Sequence, residues 1–181
     1  MKKTLIIVTT FLLLFTGCST DINNTPTKQA EEFLNKYQRL DNEVLNDLDK
    51  VIQEEEKFNS VNRDEYKELI KKQYMDMTYI IKNETIDGDK AVVEVQITVK
   101  DYIKIMNEAE EYKNNNIDLF KDELGNYSET KYIDHVIERL KETKDKVEYT
   151  IYLTVSKIDN KWTVDQINEE IEDKILGIYS Y

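Results

Sequence analysis

Cysteine, proline, histidine and tryptophan each occur once in this chain, and glycine occurs four times in 181 residues. Each scarcity excludes something. A single cysteine forms no disulfide within the chain, so packing alone must hold the fold. One histidine and one cysteine cannot supply a zinc site of the usual ligand set. Four glycines leave little for loops that wrap phosphate, and no P-loop, Gly-Xaa-Ser-Xaa-Gly elbow or glycine-rich nucleotide fingerprint is present. No internal repeat is long enough for a solenoid. Basic residues are also in deficit: 25 Lys and Arg stand against 37 Asp and Glu, for a net charge of −12. That balance argues against nucleic acid as a partner and against flat binding to anionic lipid. It suits a cationic partner or, more simply, a solvated acidic surface.

The N-terminus has its own organisation. Met1-Lys2-Lys3 is followed by an almost wholly apolar run from Thr4 to Phe15, then by Thr16-Gly17-Cys18-Ser19. A basic start, an apolar segment well short of the roughly 20 residues a spanning helix needs, and a small residue before the cut describe a secretory signal. The only cysteine follows that small residue, and this arrangement resembles the lipobox of bacterial lipoproteins. The resemblance implies cleavage between Gly17 and Cys18, lipid on Cys18, and a protein anchored to the extracytoplasmic face of the cell membrane. Residues 1–17 are then a leader, 18–24 a polar and flexible tether, and 25–181 one domain of ordinary size.

Thr25-Pro26 reads as a helix start, with a hydroxyl cap and proline in the first turn. Apolar residues from Ala30 to Ile52 recur at helical spacing, slipping near Leu40–Asp41, and predict one long amphipathic helix that ends in the solvated run Glu54-Glu55-Glu56. A second helix is expected from Asn62 or Arg63 to Gln73. The period then changes. Met75, Met77, Tyr79 and Ile81 alternate with polar residues as in a strand, and Asp87-Gly88 is a hairpin turn. Ala91, Val93, Val95, Ile97 and Val99 alternate with Glu94, Gln96, Thr98 and Lys100, as in an antiparallel sheet covered on one side. Asp101 to Leu140 is helical with interruptions at Asn114-Asn115-Asn116 and Gly125-Asn126, and Ser128 caps its last helix. A second hairpin follows: Val147 to Val155, a turn at Asp159-Asn160, then Trp162 and Val164. Asn168 to Leu176 is a short helix closed by Gly177. The expected fold is α+β, with N-terminal helices packed on a four-stranded antiparallel sheet and a helical insert between the two hairpins.

Three stretches in this order resemble a group of small Gram-positive lipoproteins with an NTF2-like, cystatin-like domain. They are Thr27 to Asn35 (TKQAEEFLN), Asp87 to Asp101 (DGDKAVVEVQITVKD) and Lys157 to Asp165 (KIDNKWTVD). The resemblance implies that fold. Members of the group are mostly of unknown function, and none of the stretches is a catalytic motif.

Candidate chemistry is sparse. His135 lies off the main apolar stripe of its helix, and the plain reading is a surface or half-buried histidine rather than a general base. Asp87-Gly88-Asp89 and the group Asp118, Asp122, Glu123 invite a calcium reading, but neither has the spacing of an EF-hand loop, and the first is a turn. Tyr102, Tyr112, Tyr127, Tyr132 and Tyr149 suit the boundary of a core or the mouth of a pocket, and Trp162 suits a core anchor. No catalytic, cofactor or metal residue is assigned. The expected function is a non-catalytic lipoprotein domain, held in the membrane by lipid on Cys18, that binds an envelope protein or a small ligand. The alternatives are an NTF2-like pocket protein that binds or transforms a small molecule, and a structural spacer in the envelope.

Overall fold

The structure, a computed structural model, describes residues 24–54 and 59–180. Gly17, Cys18, most of the tether, Glu55 and Glu56 lie outside the described residues.

Four strands form one antiparallel meander: β1 (Thr78–Asp87), β2 (Lys90–Lys100), β3 (Lys146–Ile158) and β4 (Lys161–Val164), in the order β1-β2-β3-β4. Alternation decides which face is wet. Val93, Val95 and Ile97 of β2 are wholly buried, and they stand opposite Leu153, Ile151 and Tyr149 of β3. Glu94, Gln96 and Thr98 point the other way, beside Tyr152, Thr150 and Glu148. Each large apolar side chain so buried contributes roughly 1.5–3 kcal/mol. Both turns have the backbone that two-residue hairpins require. Gly88 takes φ 60 at the first central position, and Asp159 and Asn160 take φ 49 and 64, the double positive of a type I′ turn.

The covered face carries α1 (Pro26–Arg39), which lies along the sheet. Its start is tied to β1 through Glu84, and its end to the residue just before β1 through Gln38, whose Nε2 donates to the Met77 carbonyl at 2.6 Å. A bulge between Ile81 and Asn83 makes the first tie. Without it Glu84 would face solvent. With it Glu84 stands opposite the inward Val93, and its carboxylate accepts from the Thr27 amide at 2.8 Å and the Thr27 hydroxyl at 2.7 Å. An anion at exposed helix amides is favourable.

The single long helix expected from Thr25 to Glu54 is in fact two, α1 and α2 (Asn42–Glu54). The slippage at Leu40 is a break: Leu40 is left-handed at φ 56, and the Leu40 and Asp41 amides close back onto the Tyr37 and Lys36 carbonyls. That cap turns the chain so that Val44, Leu48 and Ile52 join the same core. The next helix, α3 (Ser60–Asp76), begins earlier than expected because Asn59 caps it, and it runs past Gln73. Met75 is therefore on a helix rather than in a strand, and half exposed. Met77 is the buried C-cap, and β1 starts only at Thr78. Local alternation misled here because the helix continues to Asp76 and buries Gln73 and Tyr74.

Between the hairpins lie α4 (Tyr102–Asn115), a 3-10 turn (Ile117–Phe120) and α5 (Glu129–Glu142), followed after β4 by α6 (Glu169–Leu176). Ser128 caps α5, as expected, and Asn168, expected as the first residue of the last helix, is its cap. The architecture is the expected α+β one. Among the described residues, no helix is long and apolar enough to cross a membrane.

Candidate functional site

Asn24 and the insert belong to opposite ends of the sheet. Asn24 Nδ2 donates to the Asn160 carbonyl at 3.2 Å, and its Oδ1 accepts from the Trp162 amide at 2.9 Å. The chain thus enters the domain beside the two hairpin turns. Asn24, expected as the last residue of a mobile tether, is held in place. The insert leaves β2 after Lys100 and returns to β3 at Lys146, which are cross-strand partners at the other end. The length of β2 sets these ends roughly 35 Å apart. The insert packs mainly on itself and on α3.

Its interior is aromatic. His135 stacks on Tyr112, with ring centroids 5.0 Å apart and planes at 20°, and meets the edge of Phe120 at 5.5 Å. Phe120 also meets Tyr112 and Tyr132 edge-on. The Tyr132 hydroxyl donates to Glu110 at 2.9 Å, and the Lys113 ammonium sits 4.5 Å above the Tyr132 ring. His135 Nε2 is enclosed with no hydrogen-bond partner among the described residues. Burial, and secondarily the Arg139 guanidinium, hold the imidazole below its ordinary pKa. This geometry packs the ring among aromatics, and no hydrogen bond between it and a carboxylate is found among the described residues.

The aromatic cluster supports an ordered surface loop. Asp122 Oδ1 accepts from the Leu124 and Asn126 amides, both at 2.9 Å, and the Asn126 amide holds its carboxyl below the usual range. The Ser128 amide donates to the Phe120 carbonyl at 2.7 Å, and Lys131 Nζ donates to the Lys121 carbonyl at 2.5 Å. This loop leaves apolar side chains in water: Leu124 is 86% exposed and Leu119 60%, with Ile117 and Tyr127 also exposed. An ordered loop with uncovered leucines adds nothing to the core, and it has already met the entropic cost of presenting them.

Two open grooves flank the insert. One, of about 550 Å³, runs between the start of α4, the start of β3 and the C-terminal segment, over Val147, Tyr149 and Tyr179, with Glu108 and Glu111 on its rim. The other, of about 420 Å³, lies among α3, the end of β2 and the end of α5, and is lined by Asp64, Glu65, Glu68, Leu69, Lys72, Lys100 and Lys141.

The residues singled out in the sequence are thus dispersed. Gly17 and Cys18 lie outside the described residues. Asp87 stands at the end of β1 beside its turn, Asp118 is paired with Lys121 at 2.5 Å, and Asp122 holds its own loop. Tyr102 and Tyr149 are core, Tyr112 and Tyr132 belong to the insert cluster, and Tyr127 is exposed. Trp162 is half-buried at the edge of the core with Lys157 above its ring, and so is less deeply set than a core anchor. Sequence reasoning missed Leu119 and Leu124. The available signal was apolar residues set among Asp118, Asp122, Glu123 and Gly125, where a turn needs none. It also missed the groove around Lys100, whose lining comes from three separated segments.

No family model matches the chain, and no curated protein matches it. Among solved structures, it is similar to a crystal structure of a protein from Bacillus subtilis subsp. subtilis strain 168, provisionally described as a lipoprotein (ycdA). The TM-score is 0.42 and the identity 17%, over 68% of this chain and 39% of that one. The chain thus spans well under half the length of the protein it matches.

Proposed function

We propose that this chain is a lipid-anchored binding module of the outer membrane face, tethered through Cys18 and engaging an envelope protein through its helical insert. The anchor rests on the leader and on the lone cysteine that ends it. The observation that carries the binding role is the ordered loop after α4, which holds Leu119 and Leu124 in water. The position of Asn24 supports the same division of labour, because the anchored end and the insert attach at opposite ends of the sheet. In this reading the domain is non-catalytic and has the NTF2-like form that its sequence resembles.

The test has two parts. Growth with a labelled fatty acid should mark the native protein and leave Cys18→Ala unmarked. A photo-crosslinking residue at position 124, on intact cells, should capture one envelope protein that is not captured from position 98 on the outer sheet face. Capture that is unchanged by Leu119→Ser would sink the binding role, and labelling that persists in Cys18→Ala would sink the anchor.

A second reading, binding of a small molecule, draws on the open groove at Lys100, where half-buried charge and apolar surface meet.

A further inference from the structure

The groove of about 420 Å³ among α3, β2 and α5 contains six charged side chains, and four of them are ion-paired. Lys72 pairs with Asp76 at 2.9 Å, and Lys141 pairs with Glu138 at 2.9 Å and Glu65 at 3.2 Å. Glu68 takes Lys71 at 2.7 Å. Among the described residues, two lining charges have no ion-pair partner, Asp64 and Lys100, and they do not reach each other. Between them the groove offers the side of Leu69, itself buried.

Lys100 is also held in an unusual way. Its amide donates to Gln73 Oε1 at 3.1 Å, and its carbonyl accepts from Gln73 Nε2 at 3.0 Å. The backbone is therefore fixed while the ammonium is left without an acceptor, half-buried, with Lys72 and Lys146 nearby. Burial, then Lys72, push that ammonium below its ordinary pKa, and the Asp76 carboxylate offsets only part of this. In a chain of net charge −12, a lysine that forms no ion pair among the described residues is open to a carboxylate brought by a ligand.

We propose that this groove binds a small zwitterion of the amino-acid class, with the ligand carboxylate on Lys100, its ammonium on Asp64, and a short apolar side chain against Leu69. A simple anion would engage only Lys100 and a simple cation only Asp64, which is exposed at the groove's edge. A molecule carrying both charges can engage both, and a groove of about 420 Å³ has room for one such molecule. The free amino acid and the terminus-bearing residue of a short peptide share this chemistry. The proposal deepens the small-molecule reading and does not involve the anchor or the insert loop, so either can fail without the other.

The experiment is a titration of the full chain in detergent micelles with L-leucine, read by NMR at the Leu69 methyls and the Lys100 side chain. Parallel titrations use N-acetylleucine, leucine methyl ester and dileucine. Saturable shifts with leucine are expected, with roughly tenfold or greater weakening for each single-charge analogue and in each of Lys100→Met and Asp64→Asn. Asp64 faces solvent and the Lys100 ammonium forms no hydrogen bond among the described residues, so both variants should melt close to the parent, and the melting curve shows that any loss is one of binding. Dileucine binding as tightly as leucine would identify a peptide terminus as the ligand, and weaker dileucine binding would identify the free amino acid. Absence of saturable shifts at 10 mM of either, or leucine shifts that survive in both variants, overturns the proposal.

Discussion

Gln73 and Lys100 exchange two hydrogen bonds as neighbouring strand residues would, although Gln73 is on a helix. Gln73 Oε1 accepts from the Lys100 amide at 3.1 Å, and its Nε2 donates to the Lys100 carbonyl at 3.0 Å and also to the Leu176 carbonyl at 3.0 Å. One buried amide thereby joins α3, the end of β2 and the end of α6. The Gly177 carbonyl accepts from the Ile103 amide at 2.9 Å and adds α4 to the same junction.

Replacing Gln73 with leucine strips partners from three buried backbone groups. The expected loss is about 2–4 kcal/mol, measured by urea unfolding. Gly177 is held at φ 75, and a Cβ there would lie 2.1 Å from the Lys100 carbonyl oxygen and 2.6 Å from Gln73 Nε2. Gly177→Ala should therefore cost about 3 kcal/mol or more. The double variant should lose less than the sum, because both changes break one junction.

The bulge in β1 exists to bring Glu84 to the start of α1. Glu84→Ala should destabilise the domain by about 1–2 kcal/mol, as loss of a helix cap does. Glu84→Gln, which keeps one acceptor, should cost less. Amide exchange at Thr27 checks the cause: it should quicken in both variants and most in the alanine. Unchanged exchange would show that the contact does not hold the helix.

His135 makes stability depend on pH in a definite direction. Its folded pKa is depressed below the ordinary 6.5 by burial and by Arg139. The unfolded chain therefore binds more protons, and stability is full above about 6.5 and declines as pH falls from there toward the depressed value. Glu172 and Asp173 act oppositely: burial first, then neighbouring carboxylates, raise both, so their folded forms hold protons more tightly and stability is lost as pH rises through the carboxylate range. Denaturation curves of His135→Phe, which keeps the ring contact with Tyr112, should lack the decline below about 6.5. An identical slope in parent and variant would place the pH dependence elsewhere.

Leu119→Ser and Leu124→Ser should change stability by no more than about 0.5 kcal/mol, since both side chains already face water. Both should remove the partner captured from the loop. Asp122→Ala should act differently. It frees the Leu124 and Asn126 amides, so their exchange should quicken while the core amides of β2 and β3 keep their protection. The resulting weaker partner binding would show that the loop's order, and not only its leucines, is used.

Much of the architecture was legible because the relevant signals are local. The alternation of Ala91 to Val99 and of Val147 to Val155, the two turns at Gly88 and Asp159-Asn160, and the caps Thr25, Ser128 and Gly177 each arise from interactions within a few residues, and each stands where the sequence places it. The break at Leu40 was harder to read, because no glycine or proline marks it and it is paid for by distant packing of Val44, Leu48 and Ile52.

By itself, the sequence determined the class of fold, the one-sided burial of the sheet, the acidic surface and the expectation of a lipid anchor at Cys18. The tertiary structure alone decided where α3 ends, that Glu84 turns inward, that Gln73 joins three elements, and that Asp64 and Lys100 share one groove. Periodicity and turn chemistry are short-range and are written along the chain. A buried amide or an unpaired charge takes its meaning from residues far away in sequence, and only the folded arrangement brings them together.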